Sequence, residues 1–378
     1  CSANPTMLTI RTADHPFTVL LRDVNAAYPV WIPAYDVIVT AAGDARGYDE
    51  IAEAVRRRGG QTALQAIANE PEESWASAIA ATREEHVPTW LGLSRDIRNF
   101  EIHPGLDSCG MTIVPKYHGY NTTQPERTDN MHIAYQLMFG KGMGPVKKVT
   151  RRLENGVLPI LHADMNDGDI AYHVTTFVAL ERSPLTAATL RGTHYLVADG
   201  HGAGHMFTEA QAAEFEALKE AETTGREEET VLYFRIEAVN TGGVPRYAWF
   251  QLPSAYCMPY TIQGNDGLSI LDSGRVNLVA KLNGAPMPKE EVAPLVRPGE
   301  TATFEFYLPH QPISPERAAA LYRQDFAVRH AECRAFWEAK LAAGASVSLP
   351  ERRIDEMVRA GLLHLDLVNY GLEPDGPT

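Results

Sequence analysis

Between Phe100 and Leu308 the apolar residues recur mostly at every second position, and no other feature narrows the fold so far. In Val231–Thr241, Leu232, Phe234, Ile236 and Ala238 fall on one face and Tyr233, Arg235 and Glu237 on the other, which predicts a half-buried antiparallel strand. The stretches Val174–Leu180, Arg246–Leu252, Val276–Leu282 and Thr301–Leu308 read the same way. Turns rich in Gly, Asn, Asp and Pro separate them with no helix regularly between, so the pattern predicts a large antiparallel β-sandwich and not a doubly wound sheet. One helix interrupts it, Thr208–Glu222, opened by a capping box in which Gln211 stands three residues after Thr208.

The period changes on both sides of this region. Residues 1–46 hold short apolar runs, Met7–Ile10 and Phe17–Leu21, that predict strands, and 47–98 carry a helical insertion running from Tyr48 to Glu85 with a fresh start at Pro71. The sandwich occupies 99–312. Ser314-Pro315-Glu316 then caps a linker helix over 313–344, which meets no Gly or Pro before Ala343 and predicts one rod about 43 Å long. After an extended piece, Ala345–Leu349, Pro350 opens a helix with Ile354, Met357, Val358, Leu362, Leu365 and Val368 on one stripe, widened by Leu363 and Leu367. Gly361 lies within that helix, where another backbone could approach closely, and Gly371 ends it. Residues 345–378 thus read as the start of a helical domain, and the expected partner is a helical domain or chain that covers Ile354, Met357, Leu362 and Leu365.

Composition excludes several classes. With 44% hydrophobic and 22% charged residues over 378 positions, the chain is neither disordered nor fibrous. Its net charge of −14 repels phosphate backbones, so nucleic acid is not an expected partner. The most apolar stretch, Tyr28–Ala42, is broken by Pro29, Pro33 and Asp36, and no spanning helix is expected. Cys1, Cys109, Cys257 and Cys333 form no CxxC pair, leaving two disulfides or none open. A chain beginning Cys1-Ser2 looks like a processed bacterial lipoprotein with lipid on Cys1, which predicts an extracytoplasmic protein, lipid-anchored through Cys1 or else secreted or periplasmic.

The order of sandwich, long helix with Phe336-Trp337-Glu338, extended Val347-Ser348-Leu349-Pro350 and Arg353-Ile354-Asp355 opening an apolar helix resembles bacterial six-hairpin, or (α/α)6-barrel, glycosidases. Thr89–Asp96 and Glu154–Ile160 have the look of sandwich segments from that superfamily. The resemblance covers roughly residues 90–378. It implies a fold that is mainly β with helical segments: a supersandwich-like N-terminal portion, a linker helix and the first helix of an α/α barrel. It also places the catalytic acids in the barrel, so no catalytic residue is assigned here.

Candidate sites follow from residue chemistry. Tyr117, His118 and Tyr120, in the aperiodic Lys116–Asn121, suit stacking on sugar rings and hydrogen bonding to them, and are the expected saccharide contacts. Trp249, Tyr256 and Tyr260 invite the same idea, although Trp249 alternates on a strand and suits packing better. Asp164, Asn166, Asp167 and Asp169 fail calcium-loop spacing and read as a polar turn between strands ending at His162 and starting at Tyr172. Asp199, His201 and His205 lie in a Gly-rich run that reads as a loop beside a cleft and not as a metal site. No nucleotide, dinucleotide, zinc-protease or nucleophile-elbow motif is present, so no cofactor is expected. The leading expectation is the non-catalytic sandwich region of an extracytoplasmic carbohydrate-active enzyme acting on poly- or oligosaccharide, a glycoside hydrolase or a phosphorylase. The alternative is a carbohydrate-binding or cell-surface structural protein.

Overall fold

The computed structural model describes residues 7–11, 17–20, 24, 29–32, 35–59, 65, 68–69, 72, 74–77, 87–104, 110–117, 120–121, 133–140, 149–203, 206–223, 227–255, 260–263, 266–344 and 346–372. It divides into two units, Cys1–Ile79 and Ala80–Thr378. The first holds two hairpins, β1 (Met7–Ile10) with β2 (Phe17–Leu20) and β3 (Val30–Ile32) with β4 (Val37–Val39), followed by α1 (Tyr48–Arg57). Glu50 turns back to accept from the Gly47 amide at 2.9 Å and closes the first turn of α1. Most of the expected helical insertion beyond Gly59 lies outside the described residues.

In the second unit the strands begin at Thr89, well before the expected boundary at 99. They are β5 (Thr89–Gly92), β6 (Arg98–Pro104), β7 (Gly110–Tyr117), β8 (Tyr120–Asn121), β9 (Tyr135–Phe139), β10 (Val149–Glu154), β11 (Leu158–Asp167) and β12 (Ile170–Leu180). Two helices follow, α2 (Tyr195–Ala203) and α3 (Glu209–Thr223). The strands resume with β13 (Thr230–Asn240), β14 (Arg246–Tyr247), β15 (Phe250–Ala255), β16 (Tyr260–Gln263), β17 (Leu268–Leu271), β18 (Val276–Leu282), β19 (Ala285–Pro286), β20 (Glu291–Val292), β21 (Leu295–Val296) and β22 (Thr301–Pro309). The chain then turns helical in α4 (Pro315–Tyr322), α5 (Phe326–Ala343) and α6 (Arg352–Val368).

The unit is mainly β and its sheets are antiparallel. One sheet runs β10-β11-β12-β13-β22-β18-β17-β16 with β19 beside β18, and the other β20-β15-β9-β7-β6-β5 with β8 beside β7. They share one core, in which Phe250 meets Phe304 at 5.1 Å between ring centroids and Phe139 meets Tyr172 at 5.3 Å. Each fully buried Phe there contributes about 1.5–3 kcal/mol relative to exposure.

β13 keeps the expected half-buried alternation from Phe234 to Asn240, with Glu237 exposed, but its Val231–Tyr233 end is covered on both faces. Phe234 and Phe306 stack toward the second sheet, 4.7 Å apart. Tyr233, on the opposite face, is equally buried, because Phe177 stacks on it at 5.4 Å and Phe326 of α5 closes over Phe177 at 5.1 Å. Arg235 stays on that covered face by pairing with Glu305 at 2.7 Å and laying its guanidinium 4.0 Å from the Phe326 ring.

The single rod expected over 313–344 is two helices. Asp325 caps α5, accepting from the amides of Ala327 (2.7 Å) and Val328 (3.1 Å), while the freed Gln324 carbonyl accepts from Lys281 Nζ at 2.9 Å. Lys281 thus pins the break to β18, between the rings of Tyr307 and Tyr322. The Thr208 capping box forms as expected: Gln211 N–H donates to Thr208 Oγ1 and Thr208 N–H to Gln211 Oε1.

Candidate functional site

Tyr117 ends β7, where Met111, Ile113 and Tyr117 alternate inward, and it is only 6% exposed. Its hydroxyl accepts from Gln311 Nε2 at 3.0 Å, and the His310 ring meets it edge-on at 4.8 Å. A ring so enclosed offers no face to a sugar, so Tyr117 packs at the foot of a tight hairpin, its backbone paired with Tyr120. The alternation from Met111 onward carried this signal, partly hidden by Pro115. His118, the side chain of Tyr120 and Cys1 lie outside the described residues. Tyr117→Phe should cost about 1 kcal/mol by removing the acceptor that Gln311 uses. Urea unfolding measures it, and weakened saccharide binding at unchanged stability would instead restore a contact role.

A charged corner lies between the sheets, and nothing in the sequence marked it. Arg98 of β6 grips Asp96 with Nε (3.1 Å) and Nη2 (2.7 Å) and reaches Glu229 with Nη1 (3.2 Å). Glu181 accepts from the Glu229 amide at 3.0 Å and from the Arg317 guanidinium of α4. Burial works against charge on Arg98, and the Asp96 and Glu229 carboxylates outweigh it. Burial pushes Glu229 above the ordinary carboxylate range, against the pull of Arg98. No more than a few per cent of Asp96, Arg98, Glu181 or Glu229 is exposed, so the corner offers a ligand no entry and serves to fix the sheets to α4.

The helices α5 and α6 are bolted to the larger sheet at several points. Arg329 donates to the carbonyls of Arg182 (2.6 Å) and Ser183 (2.7 Å), and Glu154 at the end of β10 receives His330 and Arg334 from α5. Cys333 and Trp337 fill the space beneath, and burial raises the Cys333 thiol far above its ordinary range. The last turn of α6 and the chain beyond it are buttoned down: Arg95 N–H donates to the Asp366 carbonyl, Gly192 N–H to that of Leu372, and Thr193 bridges Gly371. A side chain at Gly192 would strike the Gly371 carbonyl, so glycine is required there.

Held this way, α6 is apolar on two opposite sides. Leu363 and Leu367 point into the shared core. Ile354, Met357, Val358, Leu362 and Leu365 are exposed, Met357 by 65% and Leu365 by 60%, with open space at Gly361 between them. Leu362 also borders a groove of about 550 Å³ between α5 and α6, lined by Leu341, Val347, Ser348, Asp355 and Arg359. On the other flank of α5, Ala335, Ala339, Ala343, Phe336 and Leu185 line a second groove of about 410 Å³.

The remaining candidates are structural. Asp164 lies on β11 and pairs with His173 at 2.7 Å; the turn itself is Gly168-Asp169, later than expected, and Asp169 holds Arg246 at 2.8 Å. Asp199 and the backbone of His201 belong to α2 and not to a loop, with Gly200 packed against Phe215, while His205 lies outside the described residues. Trp249 Nε1 donates to Glu291 at 2.5 Å; Tyr256 and the side chain of Tyr260 lie outside the described residues. Among the described residues no three His, Cys, Asp or Glu side chains converge as a metal site, and no helix is long and apolar enough to cross a membrane. No protein-family model matches the chain, and no curated protein matches it in sequence.

Proposed function

We propose that this chain is the non-catalytic sandwich region of an extracytoplasmic carbohydrate-active enzyme, a glycoside hydrolase of six-hairpin type, in which a helical domain covers α6. The observation that carries this reading is the two-sided helix. α6 is fixed to the sheets by Leu363 and Leu367 and presents a second apolar stripe outward, as a helix in the middle layer of a helical assembly must. The supporting features are the bolted linker α5 and the buttoned exit from α6, which would hold such a domain at a fixed distance from the sandwich. The catalytic pair of acids, which must stand about 5.5 Å apart for retention or ~6.5–9.5 Å for inversion, would belong to that helical domain.

Purified 1–378 should therefore turn over no aryl glycoside in a broad panel, while gaining thermal stability when a cognate α/α-barrel domain is joined to it or added in trans. Turnover by 1–378 alone, abolished by one Asp or Glu substitution within it, would sink the proposal.

A further inference from the structure

The ladder between β18 and its two neighbours is broken at Asn277. On one side, β17 passes from Ser269, opposite Leu278, to Ile270, opposite Val276, so Asn277 is an extra residue with no partner on that strand. On the other side, β18 pairs with β22 from Leu282 back to Val279, opposite Tyr307, and no further among the described residues. Val276 instead exchanges both backbone hydrogen bonds with Ile313, at 2.8 and 2.9 Å. Asn277 and Leu278 alone thus face residues 308–312, which bow away from β18. Leu308 and Pro309 stay on β13, the His310 amide donates to the Thr230 carbonyl at 2.8 Å, and Gln311 reaches the Tyr117 hydroxyl of the other sheet.

Unmatched polar groups collect at this break. Neither Oδ1 nor Nδ2 of Asn277 has a hydrogen-bond partner among the described residues, Gln311 spends Nε2 on Tyr117 and leaves Oε1 unmatched, and Ser269 leaves Oγ unmatched on the strand beside Asn277. All three residues are no more than 3% exposed, so bulk solvent does not serve them. A buried amide without partners is strongly penalised, and internal water, making roughly three hydrogen bonds per molecule, is what ordinarily relieves it.

We propose that the break is a binding site for ordered internal water, which bonds to Asn277 and Gln311 and stands in for the ladder that β18 and β22 do not make. The donor set decides the class of ligand. Asn277 Nδ2 needs an acceptor, Asn277 Oδ1 and Gln311 Oε1 need donors, and Ser269 Oγ takes either. A bare cation would leave the amide N–H groups unmet and an anion the two carbonyl oxygens, whereas water answers both. The site belongs to the sandwich and does not depend on the carbohydrate reading. Its water ties the bow to β18, while His310 Nε2, 3.0 Å from the Lys116 carbonyl, and Gln311 Nε2, 3.0 Å from the Tyr117 hydroxyl, tie the same bow to β7. The two sheets are thereby joined just ahead of α4.

A crystal structure of 1–378 at a resolution that shows ordered solvent tests the site. Water density is expected within about 2.7–3.2 Å of both the Asn277 amide and Gln311 Oε1, and it should vanish in Asn277→Leu, which nearly keeps the side chain's size without its polar atoms. A direct hydrogen bond between Asn277 and Gln311 with no density between them, or density unchanged in the leucine variant, overturns the proposal. Should the variant not fold, the isotope-labelled side-chain amide of Asn277 in the parent chain decides. Magnetisation transfer to its Nδ2 hydrogens from long-lived water supports the site, and its absence refutes it.

Discussion

Arg98→Ala will destabilise the chain by about 3–5 kcal/mol, because it removes the cation between two buried carboxylates and leaves them facing each other. Asp96 loses a two-pronged partner at 2.7 and 3.1 Å and Glu229 loses its contact at 3.2 Å, while the nearby Arg317 is already engaged by Glu181. Glu229 is already raised by burial and would respond by taking up a proton. Glu229→Gln in the Arg98→Ala background should therefore recover part of the loss, a non-additivity that a double-mutant cycle by urea unfolding reads directly. A cost below about 1 kcal/mol for the single variant would mean that water reaches the corner and solvates the freed carboxylates.

That corner also shows where the sequence stops being informative. Period-2 patterning located the strands because it is local: β13, β18 and β22 lie where alternation placed them, and Ser314 and Thr208 cap their helices through neighbours three residues away. Long-range pairing leaves no such trace. Arg98 and Glu229 are 131 residues apart, and Glu154 and Arg334 are 180 apart. Each reads in isolation as an ordinary surface charge. The same blindness explains Tyr233, which alternation assigns to solvent although α5 covers it; at Tyr117 the local alternation does signal burial, and only the identity of the enclosing partners, His310 and Gln311, is beyond its reach. The break at Asp325 was local and legible, since an Asp followed by an apolar run is a capping signal. It was masked by the absence of Gly or Pro, the breakers that end most helices.

On α6 the two faces should respond oppositely to substitution. Leu367→Ala removes a fully buried side chain and should cost about 2–5 kcal/mol, as a transfer loss plus the cavity left between α6 and the sheets. Leu362→Lys with Leu365→Lys touches only the outward stripe and should change stability by within about 0.5 kcal/mol while reducing self-association and dye binding at the apolar surface. Thermal unfolding and light scattering on the two variants separate the effects. A loss above about 2 kcal/mol from the lysine pair would mean that the stripe is already covered within the chain, and the case for a helical partner would then fail. With the expected pattern, one helix of 17 residues carries both the bond to the sandwich and the uncovered surface, so whatever closes over Leu365 is held in register with the sheets through Leu363 and Leu367.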